Sequence, residues 1–219
     1  GERIKKVYRR YAALPHVHYV AISEADKDPG LPYLGVVPHG VDPGRYPLGE
    51  GGKHLLVLSR IHPDKGIREA ILFARRARIP LKIAGPIQDE AYFRGQVAPL
   101  LGEGVEFLGP VDPEARGELL AGAIALLHFV NFKEPFGLAP VEAMMSGVPV
   151  LARPLGALPE TVRHGETGFL VEGWEEALDY LERLKTLDRK AIRLYAEARF
   201  SRERMARDYL ELYRKVVGS

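Results

Sequence analysis

The chain has 219 residues, 46% of them hydrophobic and 27% charged, a composition that excludes a disordered or fibrous chain and a length that provides one good-sized core but not two full domains. Thirty-one Lys and Arg against 29 Asp and Glu leave a formal charge of +2, which argues against nucleic acid as a partner and makes any anion site local. The absence of Cys excludes disulfides, thiolate metal sites and cysteine nucleophiles together.

Residues 3–14 carry helical apolar spacing, and their basic side chains (Lys5, Lys6, Arg9, Arg10) lie among Ile4, Val7, Tyr8 and Tyr11. Peripheral contact with an anionic membrane is one reading of such a stretch, and a solvated helix face is the commoner one. Two apolar runs, 17–23 and 34–38, read as strands. Residues 43–53, rich in Gly and Pro, read as a linker. Beyond it, strand patterns at 54–59, 81–85, 105–109, 124–129 and 148–152 alternate with helical ones at 67–77, 89–101, 113–122 and 136–145. This is the signal of βαβ units: an α/β fold with a Rossmann-like parallel sheet and helices on both faces. The tail, 174–217, is helical with breaks near 186–188 and 200–201, where Ser201 is a plain N-cap candidate. The longest apolar runs are too short to cross a bilayer and no signal peptide opens the chain, so a cytoplasmic location is expected. Because residue 1 is Gly rather than Met, the chain is expected to begin part-way through a longer product. A single Asn (Asn131), two Gln (Gln88, Gln96) and an excess of Arg over Lys suggest a thermophile source.

The strand at 54–59 runs into Arg60, and Lys65 with Gly66 follows just before a helix. In open α/β sheets ligands bind at the carboxyl ends of strands, so these cations are placed to meet an anion such as a diphosphate. After another strand comes Glu134-Pro135-Phe136-Gly137-Leu138-Ala139-Pro140-Val141-Glu142. Pro135 keeps Glu134 extended, Gly137 admits close approach to the backbone, and the free amides of the helix start form an anion site. Glu142 falls about a turn and a half into the helix, where its carboxylate can accept hydrogen bonds from sugar or ribose hydroxyls.

The pair Glu134 and Glu142, eight positions apart around Phe136-Gly137-Leu138, resembles the paired-glutamate motif of family 4 glycosyltransferases, which have two facing Rossmann-like domains, the GT-B fold. The resemblance runs in order through Pro38-His39-Gly40-Val41-Asp42, Ser59-Arg60, Asp64-Lys65-Gly66, Ala84-Gly85, Val105-Glu106-Phe107-Leu108-Gly109, Gly147-Val148-Pro149-Val150 and Gly165-Glu166-Thr167-Gly168-Phe169-Leu170. It implies that residues 1–42 end an amino-terminal acceptor domain, that 54–200 form the nucleotide-sugar-binding half, and that 201–219 are a carboxy-terminal helix. It further implies that Arg60 and Lys65 bind the donor diphosphate and stabilise the leaving group. By the same resemblance Glu134 contacts the transferred sugar, backbone near Gly137 and Leu138 holds phosphate or sugar, Glu142 holds the ribose hydroxyls, and backbone near Val111 meets the base. Transfer with retention of configuration and without a bound metal or cofactor is implied too. The sequence does not identify the base; a UDP-sugar is the default donor, favoured over a GDP-sugar.

The implied partners are the nucleotide sugar and either a missing acceptor domain or a second copy of the chain. The loop before Glu134, Phe129-Val130-Asn131-Phe132-Lys133, departs from the Pro-Ser common in the family, which leaves the transferred sugar open. A nucleotide-sugar-binding module without transfer activity of its own is the alternative. A dinucleotide oxidoreductase is set aside because no Gly-x-Gly-x-x-Gly follows the first strand. Asp26-Lys27-Asp28 has the spacing of a metal motif but reads as a surface turn beside Pro29-Gly30, and His16, His18, His54, His62 and His164 have no spacing that suggests a metal site.

Overall fold

The computed structural model describes residues 2–218. In chain order the elements are α1 (Glu2–Tyr11), β1 (Tyr19–Ala21), β2 (Tyr33–Val36), β3 (His54–Leu58), α2 (Ile67–Ala77), β4 (Leu81–Ala84), α3 (Glu90–Tyr92), β5 (Val105–Gly109), α4 (Pro113–Ala121), β6 (Ala123–His128), α5 (Leu138–Met145), β7 (Val150–Ala152), α6 (Leu158–Thr161), β8 (Gly168–Leu170), α7 (Trp174–Ala177), α8 (Leu181–Thr186), α9 (Arg189–Phe200) and α10 (Arg202–Val217). Strands β3 to β8 form one six-stranded sheet, ordered β5-β4-β3-β6-β7-β8, in which every pairing is parallel. Alternate residues of β3 enter different cores: Leu56 and Leu58 pack with α5 and α9, whereas Leu55 and Val57 pack with α2 and α7. A strand buried on both faces needs helices on both, so the near-continuous apolar runs and the α/β reading have one cause.

From β3 the chain builds outward through β4 to β5, then returns to the other side of β3 with β6. The order reverses between β3 and β6, and the crevice outside the carboxyl ends of these two strands is where such sheets bind ligands.

Two local expectations need correction. The single helix read over 89–101 is three short pieces: α3, a π turn at Phe93–Val97 and a 3-10 turn at Ala98–Leu100. Pro99 lacks an amide proton and its ring crowds the preceding turn, so the α-helical ladder cannot continue through it. In addition, Gly168–Leu170 form a strand, β8, that the strand reading does not include. Gly168 is required there: a Cβ would stand 2.0 Å from the Val150 carbonyl oxygen of the neighbouring strand.

The segment read as a linker, 43–53, is packed against the sheet's helices. Tyr46 is buried, Gly49 donates to the Ser146 carbonyl at 2.9 Å, and the Arg193 guanidinium holds the carbonyls of Pro43 and Tyr46. Strands β1 and β2 form a separate parallel pair. They are tied to the larger sheet by Ser23 Oγ donating to the Pro135 carbonyl at 2.7 Å and by Glu160, whose carboxylate accepts from the amides of Glu24 and Ala25 at 2.9 and 2.8 Å. Ser201 caps α10 through Arg204 N, as its position suggests, and α10 turns back so that Leu212 lies against Gly35 of β2. Asp28 serves as a turn residue, accepting from Gly30 N at 2.8 Å and pairing with Arg9.

Candidate functional site

Two adjoining cavities, of about 400 and 340 Å³, open at the carboxyl ends of β3 and β6 and share Ser59, Arg60 and the first turn of α5 as a common wall. Arg60, Lys65, Glu134, Gly137 and Leu138 line the first, and Arg60, Val111, Leu138 and Glu142 line the second. All seven residues singled out from sequence therefore meet at the strand-order reversal.

Each is placed by local chemistry. After Leu58 the chain turns through a 3-10 turn, Pro63–Lys65, capped by the His62 side chain, and Gly66 in the left-handed region (φ 65°) starts α2. Arg60 leans on Asp64 at 2.9 Å and on Gln88, which holds its guanidinium at the crevice mouth. Lys65 reaches inward: its ammonium lies 3.4 Å from Glu134 Oε2 and 4.3 Å from the centre of the Phe132 ring. The same Oε2 stands 3.3 Å from Nε2 of His128, the last residue of β6.

Burial by itself pushes the Glu134 carboxyl up, but the hydrogen bond to His128 and the charge of Lys65 outweigh it and hold its pKa below the usual value. Burial holds His128 below the usual histidine value, against the pull of Glu134. Near neutral pH the pair is thus a carboxylate beside a neutral imidazole, whose Nε2 must carry the proton for the contact to be attractive. Gly137 (φ 90°) breaks the extended segment into α5; Pro140 has no amide proton, so Leu138 and Ala139 supply the free amides of the first turn. Farther along α5, Glu142 is buried. Its Oε1 accepts from the Tyr46 hydroxyl at 2.9 Å and from Arg116 Nη1 at 3.0 Å.

Sequence reasoning missed Asp64, Gln88, His128, Arg116, Tyr46 and His39. A histidine ending a strand six residues before Glu134 was a usable signal. Asp64 and His39 stand in runs that carry the resemblance but were given no role there, and His39 reaches the first cavity from the amino-terminal part, its ring 5.1 Å from that of Phe136. Tyr46 had no signal: it lies 96 positions from Glu142, inside the segment read as a linker. Among the described residues no group of three or more His, Asp or Glu is arranged to hold a metal ion, and no helix is long and apolar enough to cross a membrane.

Solved structures share this fold over nearly the whole chain. AviGT4, a glycosyltransferase involved in avilamycin A biosynthesis, matches 91% of the chain with a TM-score of 0.78 and 29% identity, over 64% of its own length. Anabaena HepE, solved in complex with UDP and glucose, matches 97% of the chain (TM-score 0.80, 22% identity, 66% of that chain). The sucrose-phosphate synthase of Thermosynechococcus elongatus matches all of it (0.83, 21%, 62% of that chain). The architecture is thus the Rossmann-like α/β unit of GT-B glycosyltransferases. Residues 42–200 match the family of glycosyl transferases group 1, and the chain belongs to that family. Relatives include the D-inositol 3-phosphate glycosyltransferases of Rhodococcus erythropolis, 39% identical over 120 residues (52% of this chain, 27% of the relative), and of Mycobacterium tuberculosis, 38% over 119 residues (49% and 25%). The matched part is about a quarter of the length of these relatives.

Proposed function

We propose that this chain supplies the nucleotide-sugar site of a family 4 hexosyltransferase that retains anomeric configuration. The observation that carries the reading is the meeting, at the reversal of strand order, of two cations after β3 with a carboxylate after β6 and the amides that open α5. In the reaction the bond between the sugar's anomeric carbon and the diphosphate breaks, a bond from that carbon to an acceptor hydroxyl oxygen forms, and the hydroxyl proton passes to the departing diphosphate. Charge grows on the departing diphosphate, where Arg60, Lys65 and the free amides of Leu138 and Ala139 stabilise it. Glu134 takes sugar hydroxyls, its carboxylate held by His128 and Lys65. Glu142 takes the ribose, and backbone near Val111 takes the base, uracil being favoured over guanine.

The two glutamates then divide their work. Glu142→Ala is expected to weaken binding of a bare nucleoside diphosphate, whereas Glu134→Ala leaves that binding nearly intact and lowers transfer in the complete enzyme. Calorimetric titration of both variants checks this; equal affinities across wild type and both variants sink the division. Binding is also expected to survive EDTA, since the charges offered to the diphosphate are organic cations. A loss in EDTA that manganese restores would overturn metal independence.

The match, which takes in 52% of this chain and 27% of the relative, favours keeping a second reading, a binding module that transfers nothing without an acceptor domain. Transfer assays with and without an added amino-terminal domain separate the two. The apolar groove between α10 and the β1-β2 pair, with Leu34, Tyr213 and Val217 exposed along it, is where such a domain or a second copy would pack.

A further inference from the structure

Glu142 is held more elaborately than a ribose contact requires. We propose that Tyr46 and Arg116 are positioning residues that fix the Glu142 carboxylate for a ribose diol, making the site selective for ribonucleoside over 2′-deoxyribonucleoside diphosphates; this rests on the ribose role of Glu142 given above.

The geometry leaves the two oxygens of Glu142 unequal. Oε1 accepts from Tyr46 at 2.9 Å and from Arg116 at 3.0 Å, which uses both of its lone pairs. Oε2 has only a long contact to Arg116, at 3.4 Å, and so keeps acceptor capacity on a side chain that lines the second cavity. Three separate elements fix this arrangement: the segment crossing from β2 to β3 brings Tyr46, α4 brings Arg116 and α5 brings Glu142. They cannot drift apart easily. The Tyr46 ring is part of the core, its carbonyl is held by Arg193, and a Cβ on Gly117 would stand 2.4 Å from the Arg45 carbonyl oxygen, so α4 rests directly on the crossing segment. Burial and the charge of Glu142 push the Tyr46 hydroxyl pKa far up, which keeps it a donor. Arg116 supplies the countercharge to this buried carboxylate, at 3.0 Å. A carboxylate fixed in one rotamer with one free oxygen loses little freedom on binding a diol, and its energy is realised only if the diol is present.

The test is calorimetric titration of UDP and 2′-deoxy-UDP, and of GDP and 2′-deoxy-GDP, into wild type, Tyr46→Phe, Arg116→Leu and Glu142→Ala. Wild type is expected to bind the ribonucleotide about tenfold more tightly or better, the value of a hydrogen bond to a charged group. Tyr46→Phe, which removes one oxygen, and Arg116→Leu are expected to weaken the ribonucleotide while leaving its deoxy counterpart nearly unchanged, so the ratio falls toward that of Glu142→Ala. If both nucleotides weaken equally and the ratio persists, the two residues are merely structural and the proposal is wrong, with the role of Glu142 untouched. If wild type shows no ratio and Glu142→Ala binds UDP and GDP as wild type does, the ribose role itself fails. Should Arg116→Leu not fold, Tyr46→Phe decides alone.

Discussion

Lys65→Ala and Arg60→Ala are each expected to lower affinity for a nucleoside diphosphate by roughly 10- to 100-fold, because a hydrogen bond to a charged group contributes about 1.5–3 kcal/mol. The larger loss is expected for Lys65. Its side chain is 12% exposed against 36% for Arg60, so water screens its charge less, and Arg60 already shares its guanidinium with Asp64 and Gln88. Lys65→Ala has a second effect: the Glu134 carboxyl loses the nearest positive charge, and its pKa should rise. In a complete enzyme this variant should therefore lose transfer beyond its loss of nucleotide binding. Calorimetry with UDP and GDP, then transfer at saturating donor, reads the two effects apart. Unchanged affinity in both variants would remove the diphosphate from this crevice.

Gly66→Ala is expected to be among the most damaging single changes in the chain. Gly66 sits at φ 65°, and a Cβ there would stand 2.0 Å from the Phe129 carbonyl oxygen, at the end of β6. The left-handed backbone by itself costs an L-residue about 1–2 kcal/mol. Relieving the clash means parting the start of α2 from β6, so the total should reach roughly 3–5 kcal/mol. Gly165→Ala is the control: its φ is 84°, yet a Cβ meets nothing within 4 Å, so only the backbone cost of about 1–2 kcal/mol applies. Urea unfolding of the two variants measures the difference. Similar losses in both would mean that the contact with Phe129 does not set the cost.

Much of the larger sheet was legible before any coordinates. The central strand, buried on both faces, reads as a continuous apolar run at 54–58, and residues 81–84 and 105–109 also stand where the pattern placed them. Breaks at Thr186 and Ser201 were legible because the residues that end and cap helices act locally. The helix read over 89–101 failed for an equally local reason, Pro99, which the apolar spacing outvoted. The small pair β1-β2 was legible as strands but not its attachment, since Ser23 meets Pro135 across 112 positions and nothing in either segment marks the other.

By itself the sequence determined most of the elements, the alternation that makes a parallel α/β sheet, and which side chains could meet an anion or a hydroxyl, because backbone propensity, helix starts and ionisable groups act over a few residues. Only the tertiary structure decided that β6 returns beside β3. That pairing brings Glu134 within 3.4 Å of Lys65, 69 positions away, and ends His128 against the same oxygen. It also decided that the apparent linker carries Tyr46 to Glu142, turning a connecting segment into a support behind the site. Contacts of this kind depend on the order in which strands assemble and on which helix covers which face, and no short window of residues encodes either.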